Sequence, residues 1–328
     1  MKYFQKWSER RTIMKMDSRL INIRNKSLSP VLEKLDAIQQ LQYQGNDTIA
    51  TFIKENQNYK LLYEQSAKDK LSALIEQRWK IIDSFDSIRF NNYEFKCQIC
   101  NGNIDTLTAK KYHSECIFKG GTLIRFECPH CGCIIGPLKM LTLDKDTFDL
   151  DYSQHYSIFS EGDTTEDEKF TFYQLNPQKD KCYLNYGCGS WSRTIDELRA
   201  DGYDVYGYDP YSCKGDRSYI IKSIDELKEM RFDGIFSNNV LEHLIDPINT
   251  FLLFKQLLKD DNSKMIHSTP CYEYLYEYTR FHLFFYTGKS LEVLCEQVGL
   301  ESYGRHDEIR NNNKYTSFLF RKKQSALT

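Results

Sequence analysis

Tyr183-Leu-Asn-Tyr-Gly-Cys-Gly-Ser190, followed by Val205-Tyr-Gly-Tyr-Asp-Pro210, leaves this chain few folds to choose from. The first segment reads as a strand that runs into a Gly-x-Gly turn and opens a helix. The second reads as a strand that ends on an acid. Side by side in a parallel sheet they form a nucleoside pocket. The glycines let backbone approach a ligand closely, and Asp209 is placed to accept from both ribose hydroxyls. Gly187 and Asp209 are separated by close to the roughly 20 residues expected of such a unit. Function therefore belongs to the C-terminal half.

From Cys182 onward the pattern alternates strand and helix. Strands are expected at 182–186, 204–208, 219–221, 233–237 and 264–268, and helices near 194–200, 248–259 and 288–298. Thr194-x-x-Glu197 and Ser223-x-x-Glu226 have capping-box spacing. Asp246-Pro247 supplies an N-cap and a first-turn proline. Two closing strands, near 300–305 and 315–321, flank a polar turn from His306 to Lys314 and read as antiparallel. Such alternation with short links means α/β architecture, a parallel sheet covered on both faces.

Residues 1–90 read as a helical arm. Leu28, Val31, Leu35 and Ile38 recur at helical spacing, and so do Leu71, Leu74, Ile75, Trp79 and Ile82, with Gly45-Asn-Asp between the two stretches. The pattern suits a helical hairpin or short coiled coil, and homo-oligomerisation through the arm stands beside simple packing on the monomer. Residues 1–26 carry a net charge of +6, against −8 for the rest. With Tyr3, Phe4, Trp7, Ile13 and Met14, that basic start suits peripheral contact with an anionic membrane surface, or a solvated end. The acidic body argues against a broad nucleic-acid clamp. No apolar run approaches the roughly 20 residues of a membrane span, and no secretory signal is visible, so a cytoplasmic protein is expected.

Six of the 11 cysteines fall between Cys97 and Cys133. In a cytosolic chain such clustering points to metal rather than disulfides. Cys97-x2-Cys100 and Cys128-x2-Cys131 form two thiolate knuckles that together complete a tetrahedral, structural zinc site. The 27 residues between the pairs exceed the commonest template of about 15–20. His113, Cys116, His130 and Cys133 stand in reserve as ligands. Residues 91–145 are therefore expected to form a zinc-ribbon-like module, and 146–178 a polar connector opening the last domain, 146–328.

Several ordered motifs then carry a family resemblance. The Gly-Cys-Gly turn, Gly207-Tyr-Asp-Pro210, Phe232-Asp-Gly-Ile-Phe-Ser-Asn-Asn-Val-Leu-Glu-His-Leu-Ile-Asp-Pro247, Ser268-Thr-Pro270 and His282-Leu-Phe-Phe-Tyr-Thr287 resemble class I S-adenosylmethionine-dependent methyltransferases. The resemblance covers about residues 180–321 and implies a Rossmann-like seven-stranded sheet. It implies that Gly187, Cys188 and Gly189 wrap the methionine part of S-adenosylmethionine, with Asn185 beside them as a hydrogen-bonding cofactor contact. Asp209, with Pro210 beside it, would hold the ribose. Ser223 and Ile224 would flank the adenine, and Asn238 and Asn239 would face the methyl group. The family usually has Asp where Asn185 stands and Gly where Trp191 stands, so the cofactor's ammonium loses an expected negative neighbour.

Methyl transfer from a sulfonium is an in-line displacement that depends on alignment. A hydroxyl or amine acceptor also needs a base. His243, just beyond the fourth strand, is the first candidate, with a reference pKa near 6.5. His282, set among aromatics, is the second. Tyr152, His155 and Tyr156 precede the first strand, where a lid would close. Cys271-Tyr-Glu-Tyr-Leu-Tyr-Glu-Tyr278 offers aromatic faces and carboxylates that suit a carbohydrate, or tyrosines that cover the sheet edge. Relatives often act in polysaccharide, lipopolysaccharide or sugar-nucleotide pathways, so a sugar or glycan acceptor is expected. An RNA or protein acceptor, or a non-catalytic scaffold, is the alternative.

Overall fold

A computed structural model describes residues 47–159, 162–190, 192–211, 217–310 and 313–323. Leu28, Val31, Leu35, Ile38, the basic aromatic start and Trp191 lie outside the described residues. The helices are α1 (Asp47–Arg89), α2 (Leu138–Leu141), α3 (Lys145–Ile158), α4 (Thr165–Tyr173), α5 (Thr194–Ala200), α6 (Ile224–Lys228), α7 (Pro247–Leu257) and α8 (Ser290–Val298). The strands are β1 (Glu94–Lys96), β2 (Asn103–Asp105), β3 (Lys111–Glu115), β4 (Thr122–Glu127), β5 (Ile134–Ile135), β6 (Cys182–Tyr186), β7 (Asp204–Tyr208), β8 (Ile220–Ile221), β9 (Gly234–Asn238), β10 (Lys264–Ser268), β11 (Phe284–Phe285), β12 (Leu300–Arg310) and β13 (Asn313–Lys322).

The chain divides into two compact units, Met1–Ile75 with Asp144–Phe159, and Glu76–Leu143 with Ser160–Thr328. In the first unit α3 is capped by Asp144, which accepts from the Thr147 amide at 2.9 Å. Tyr152 and Tyr156 meet edge to face on that helix, with ring centroids 4.6 Å apart. Residues 146–178 are thus not a plain polar connector, since they hold most of α3 and all of α4. Their apolar positions are too thinly spread among acids for a helical period to show.

The second unit is built on a seven-stranded sheet ordered β12-β13-β10-β9-β6-β7-β8. All pairings from β8 to β10 are parallel, and β13 runs antiparallel between β10 and β12. Apolar side chains on the sheet and its covering helices close the core, among them Phe172, Leu184, Leu198, Phe236, Phe254 and Ile266, each fully buried. This is the seven-stranded mixed sheet of class I methyltransferases, as expected. Strand order reverses at β6, with β7 on one side and β9 on the other, and in open α/β sheets ligands bind outside the carboxyl ends of strands at such a switch.

Local signals mostly fall where the residues put them. Ser223 accepts from the Glu226 amide to cap α6, Asp246 accepts from the Asn249 amide at 3.0 Å to cap α7, and Gly299 ends α8 in the left-handed region at φ +69°. Thr194 does not cap α5. Arg193 takes that position, the Thr194 hydroxyl is buried among Ser192 and Thr165, and Glu197 pairs instead with Lys169 at 2.8 Å. The supposed turn from His306 to Lys314 is strand almost throughout, with Arg310 opposite Asn313. Arg305, His306, Asp307, Glu308 and Ile309 of β12 are all exposed, and Asp307 accepts from the Thr316 hydroxyl at 2.7 Å, so no alternation marks that stretch.

The cysteine-bearing segment does not stand apart from this sheet. β3, β4 and β5 make a four-stranded antiparallel sheet whose last strand is β11, from beyond β10. The end of α1 packs there too. Asp83 accepts from the Thr122 amide at 2.9 Å and pairs with the buried Lys139 at 2.5 Å, and Trp79 lies under the Lys139 and Arg280 cations. Arg125, on β4, is fully buried and donates to the backbone carbonyls of Glu277 (2.8 Å), Thr279 (2.7 Å) and His282 (3.2 Å). It ties the aromatic loop before β11 to the cysteine-bearing sheet.

Candidate functional site

The glycine turn follows β6 directly. Gly187 and Gly189 sit at φ +74° and +55°, where L side chains are strained. A Cβ on Gly187 would also fall 2.5 Å from Val240 Cγ2, so backbone strain and crowding both demand glycine. The Gly187 and Cys188 amides converge on the Tyr208 carbonyl at 2.7 and 3.2 Å. The Gly189 amide donates to Asp209 Oδ2 at 2.9 Å, and the Tyr211 amide donates to Oδ1 at 2.8 Å. Asp209 therefore bridges the turn after β6 and the end of β7. Pro210 and Ser223 are exposed on this side, and Ile224 is half-buried behind Ser223.

At the end of β9, Asn238 is half-buried and accepts from the Tyr315 hydroxyl, while Asn239 is exposed at φ +53° and donates its amide to Ser268 O at 2.8 Å. Asn185 sits differently. It is 1% exposed, and its amide donates to Glu168 Oε2 at 2.8 Å. Ser192 Oγ donates to the same oxygen at 3.0 Å, and Thr164 Oγ1 donates to Oε1. Burial pushes the Glu168 carboxyl up, against the hydrogen bonds from Thr164, Asn185, Thr194 and Ser192 that favour its ionised form.

His243 and His282 come together although 38 residues separate them, with ring centroids 4.9 Å apart. His243 lies in a 3-10 turn after β9, and its Nδ1 is 3.1 Å from the Phe281 carbonyl. A carbonyl only accepts, so Nδ1 carries the proton and Nε2 holds a lone pair. His282 Nδ1 is 3.5 Å from Cys271 Sγ, and its Nε2 is 4.0 Å from Glu242 Oε1. One ligand atom each from Glu242, Cys271 and His282 lie within 4.8 Å of one another. Burial pulls His243 down to about 4, and pulls His282 well below the usual histidine range, helped by His243 and the Arg125 cation.

His267 is buried against Phe254 and Ser237, and burial brings it to about 3. These three histidines fold as neutral groups but take protons near pH 6.5 once unfolded. The native state then binds fewer protons, so their stabilisation is complete above pH 6.5 and is lost as pH falls toward 3–4. Thermal unfolding at pH 7.5, 6, 5 and 4 should show a melting temperature that drops steadily below 6.5. A flat profile across that window would contradict neutral burial.

The tyrosine-rich loop is divided in its roles. Tyr272 is buried and donates to the His267 carbonyl at 3.0 Å, and Tyr274 packs on Tyr112 and Phe285. Glu273 pairs with Lys314 and Arg305. Tyr276 and Tyr278 are half-buried, with their rings edge to face 5.6 Å apart.

The four knuckle cysteines converge. Cys97 and Cys131 sulfurs are 3.6 Å apart, Cys100 and Cys128 sulfurs 3.5 Å, and all four lie within 4.8 Å. Zinc held by thiolates at about 2.3 Å needs sulfurs about 3.8 Å apart, so this donor set fits one such ion. The Ile99 and Cys100 amides point at Cys97 Sγ at 3.4 and 3.5 Å, while the hydrogen bond to Cys131 and burial push the Cys97 thiol up. The same hydrogen bond draws Cys131 down, to about 5, so the pair shares one proton. The reserve residues are elsewhere. Cys133 donates to the Phe285 carbonyl at 3.3 Å, Cys116 sits beside Arg280, and His113 and His130 are exposed.

Glu168, Cys271 and Arg125 escape a reading of the sequence. Glu168 lies in a segment without clear period, and the other two act only through residues far along the chain.

Residues 166–303 match a family model described as "Methyltransferase domain". No curated protein matches the sequence significantly. Among solved structures, 1,6-didemethyltoxoflavin-N1-methyltransferase from Burkholderia thailandensis, with bound 1,6-didemethyltoxoflavin and S-adenosylhomocysteine, is 14% identical with a TM-score of 0.44, over 66% of this chain and 100% of that one. Magnesium protoporphyrin IX methyltransferase from Synechocystis is 14% identical with a TM-score of 0.35, over 56% of this chain and 99% of that one. N-methyltransferase NodS from Bradyrhizobium japonicum is 13% identical with a TM-score of 0.33, over 49% and 97%. The family match spans the glycine turn, Asp209 and the Glu242-His243 segment, and these residues sit on a seven-stranded mixed sheet with the class I S-adenosylmethionine-dependent methyltransferase fold.

Proposed function

We propose that this enzyme transfers a methyl group from S-adenosylmethionine to a hydroxyl of a sugar or glycan, with His243 as base and a structural zinc ion on Cys97, Cys100, Cys128 and Cys131. The observation that carries the cofactor reading is the Asp209 carboxylate, which gathers the Gly189 and Tyr211 amides at the mouth of β6 and β7. When bound, the cofactor supplies an electrophilic methyl on a sulfonium. Asp209 would accept from the ribose, Ser223 and Ile224 would border the adenine, and Asn238 and Asn239 would border the methyl. His243 Nε2, unprotonated, would take the acceptor's proton. Tyr276 and Tyr278 offer faces on which sugar CH groups stack, which favours a saccharide. Four thiolates leave no open position, so zinc there would hold structure and take no part in transfer.

Calorimetry with S-adenosylhomocysteine tests the cofactor reading. The wild-type protein should bind it, and Asp209→Ala should weaken binding roughly ten- to a hundredfold, the value of charge-assisted hydrogen bonds to a ribose. Unchanged affinity in Asp209→Ala would overturn the placement. No binding by the wild type at millimolar ligand would favour a scaffold. Light scattering of the full chain, with and without residues 1–90, tests assembly through the arm, which we propose as the oligomerisation element. We also propose residues 1–26 as a peripheral membrane contact of a cytoplasmic protein, read by flotation with anionic vesicles.

A further inference from the structure

The glycine turn of this chain lacks the acid that its family resemblance expects at Asn185, yet a carboxylate, Glu168, is held directly against the Asn185 side chain. Glu168 reaches in from α4, the helix before β6. Its Oε2 takes the Asn185 amide at 2.8 Å and the Ser192 hydroxyl at 3.0 Å, so it lies against the last residues of β6 and the chain just past Gly189. Every neighbouring acid already has a cation. Glu166 and Glu197 share Lys169, Asp167 holds Arg310 at 2.9 Å, and Asp163 and Glu197 hold Arg193. Among the described residues Glu168 has neutral donors only, although it is just 6% exposed. A buried carboxylate normally has a counter-charge. Converging neutral side-chain donors fix this one in position and bring no cation to it.

We propose that Glu168 is the anion that recognises the α-ammonium of the methyl donor, held in place by Asn185, Ser192 and Thr164. The inference rests on the cofactor reading above and deepens it. Asn185 becomes a positioning residue, not a ligand. It spends its amide on Glu168, and the negative charge has moved from the strand to the helix in front of it. Specificity follows from that placement, because the site discriminates ligands by their amino-acid portion as well as by the nucleoside.

The test compares three probes by calorimetry: S-adenosylhomocysteine, its analogue lacking only the α-amino group, and methylthioadenosine, which lacks the amino-acid portion altogether. The wild type should prefer S-adenosylhomocysteine over the deaminated analogue by roughly ten- to a hundredfold, in line with a charge-assisted hydrogen bond. Glu168→Gln should abolish that preference and leave methylthioadenosine affinity unchanged. Adding Asn185→Asp to Glu168→Gln restores a carboxylate nearby and should recover part of the preference. Equal wild-type affinity for the two amino-acid probes overturns the proposal without needing a variant that folds. Equal weakening of all three probes in Glu168→Gln also overturns it, since that marks a merely structural role. If the wild type binds methylthioadenosine but ignores the amine, the cofactor reading stands and only the role of Glu168 fails. If it binds none of the three, the cofactor reading itself fails.

Discussion

Stripping the proposed zinc from the four-cysteine site should unfold the second unit, not merely loosen one turn. Structural zinc contributes apparent free energies of about 10–16 kcal/mol in zinc-finger peptides at neutral pH, while whole domains are stable by only about 5–15 kcal/mol. The knuckles also sit where the load is shared. Cys97 and Cys100 follow β1, Cys128 and Cys131 lie between β4 and β5, and β5 is the strand to which β11 is paired. Arg125, on β4, holds the carbonyls of residues 277, 279 and 282. Losing the ion would therefore free the loop that carries His282 even before the sheet melts. Elemental analysis should find one zinc per chain, and Cys97→Ser or strong chelation should remove both the zinc and the cooperative melting transition. Metal-free protein that melts at the same temperature after chelation would leave only four reduced thiols.

His243→Asn should lower kcat by about 10²–10⁴, the usual range for losing a positioned base. Asparagine can keep the donor to the Phe281 carbonyl that Nδ1 now supplies, but it has nothing at the position of Nε2. S-adenosylhomocysteine affinity should stay unchanged, which separates loss of the base from loss of the fold. The pH profile carries a sign as well. Burial draws His243 to about 4, so the active neutral form predominates above that value. The rate should hold level from neutral pH toward 5 and fall as the histidine protonates near 4. A fall centred near 6.5 would mean an ordinary exposed histidine. A kcat unmoved by His243→Asn would transfer the role of base to another group.

How far these outcomes were legible beforehand depends on the range of the interaction. The Gly187-Cys-Gly189 turn, Asp209, the Ser223 and Asp246 caps and the left-handed Gly299 are local. Backbone conformation and hydrogen bonds within a few residues fix them, so residue type at a spacing suffices. Residues 305–309 of β12 left no pattern because all of them are exposed, and Thr194 lost its capping role to tertiary contacts. The two Cys-x2-Cys knuckles were plain in the residues. Their selection over His113, Cys116, His130 and Cys133 was not, because a ligand set is a matter of which sulfurs converge.

By itself the sequence determined the strand–turn–helix unit, the acid at its second strand, the parallel alternation and the zinc-suited pairs, since each follows from short-range sterics and spacing. Only the tertiary structure decided that β11 completes the sheet of the cysteine-bearing segment and that His243 meets His282. It alone set Glu168 behind Asn185. Those pairings join segments far apart in the chain, and nothing in local propensity encodes which distant side chain will fill a given buried position.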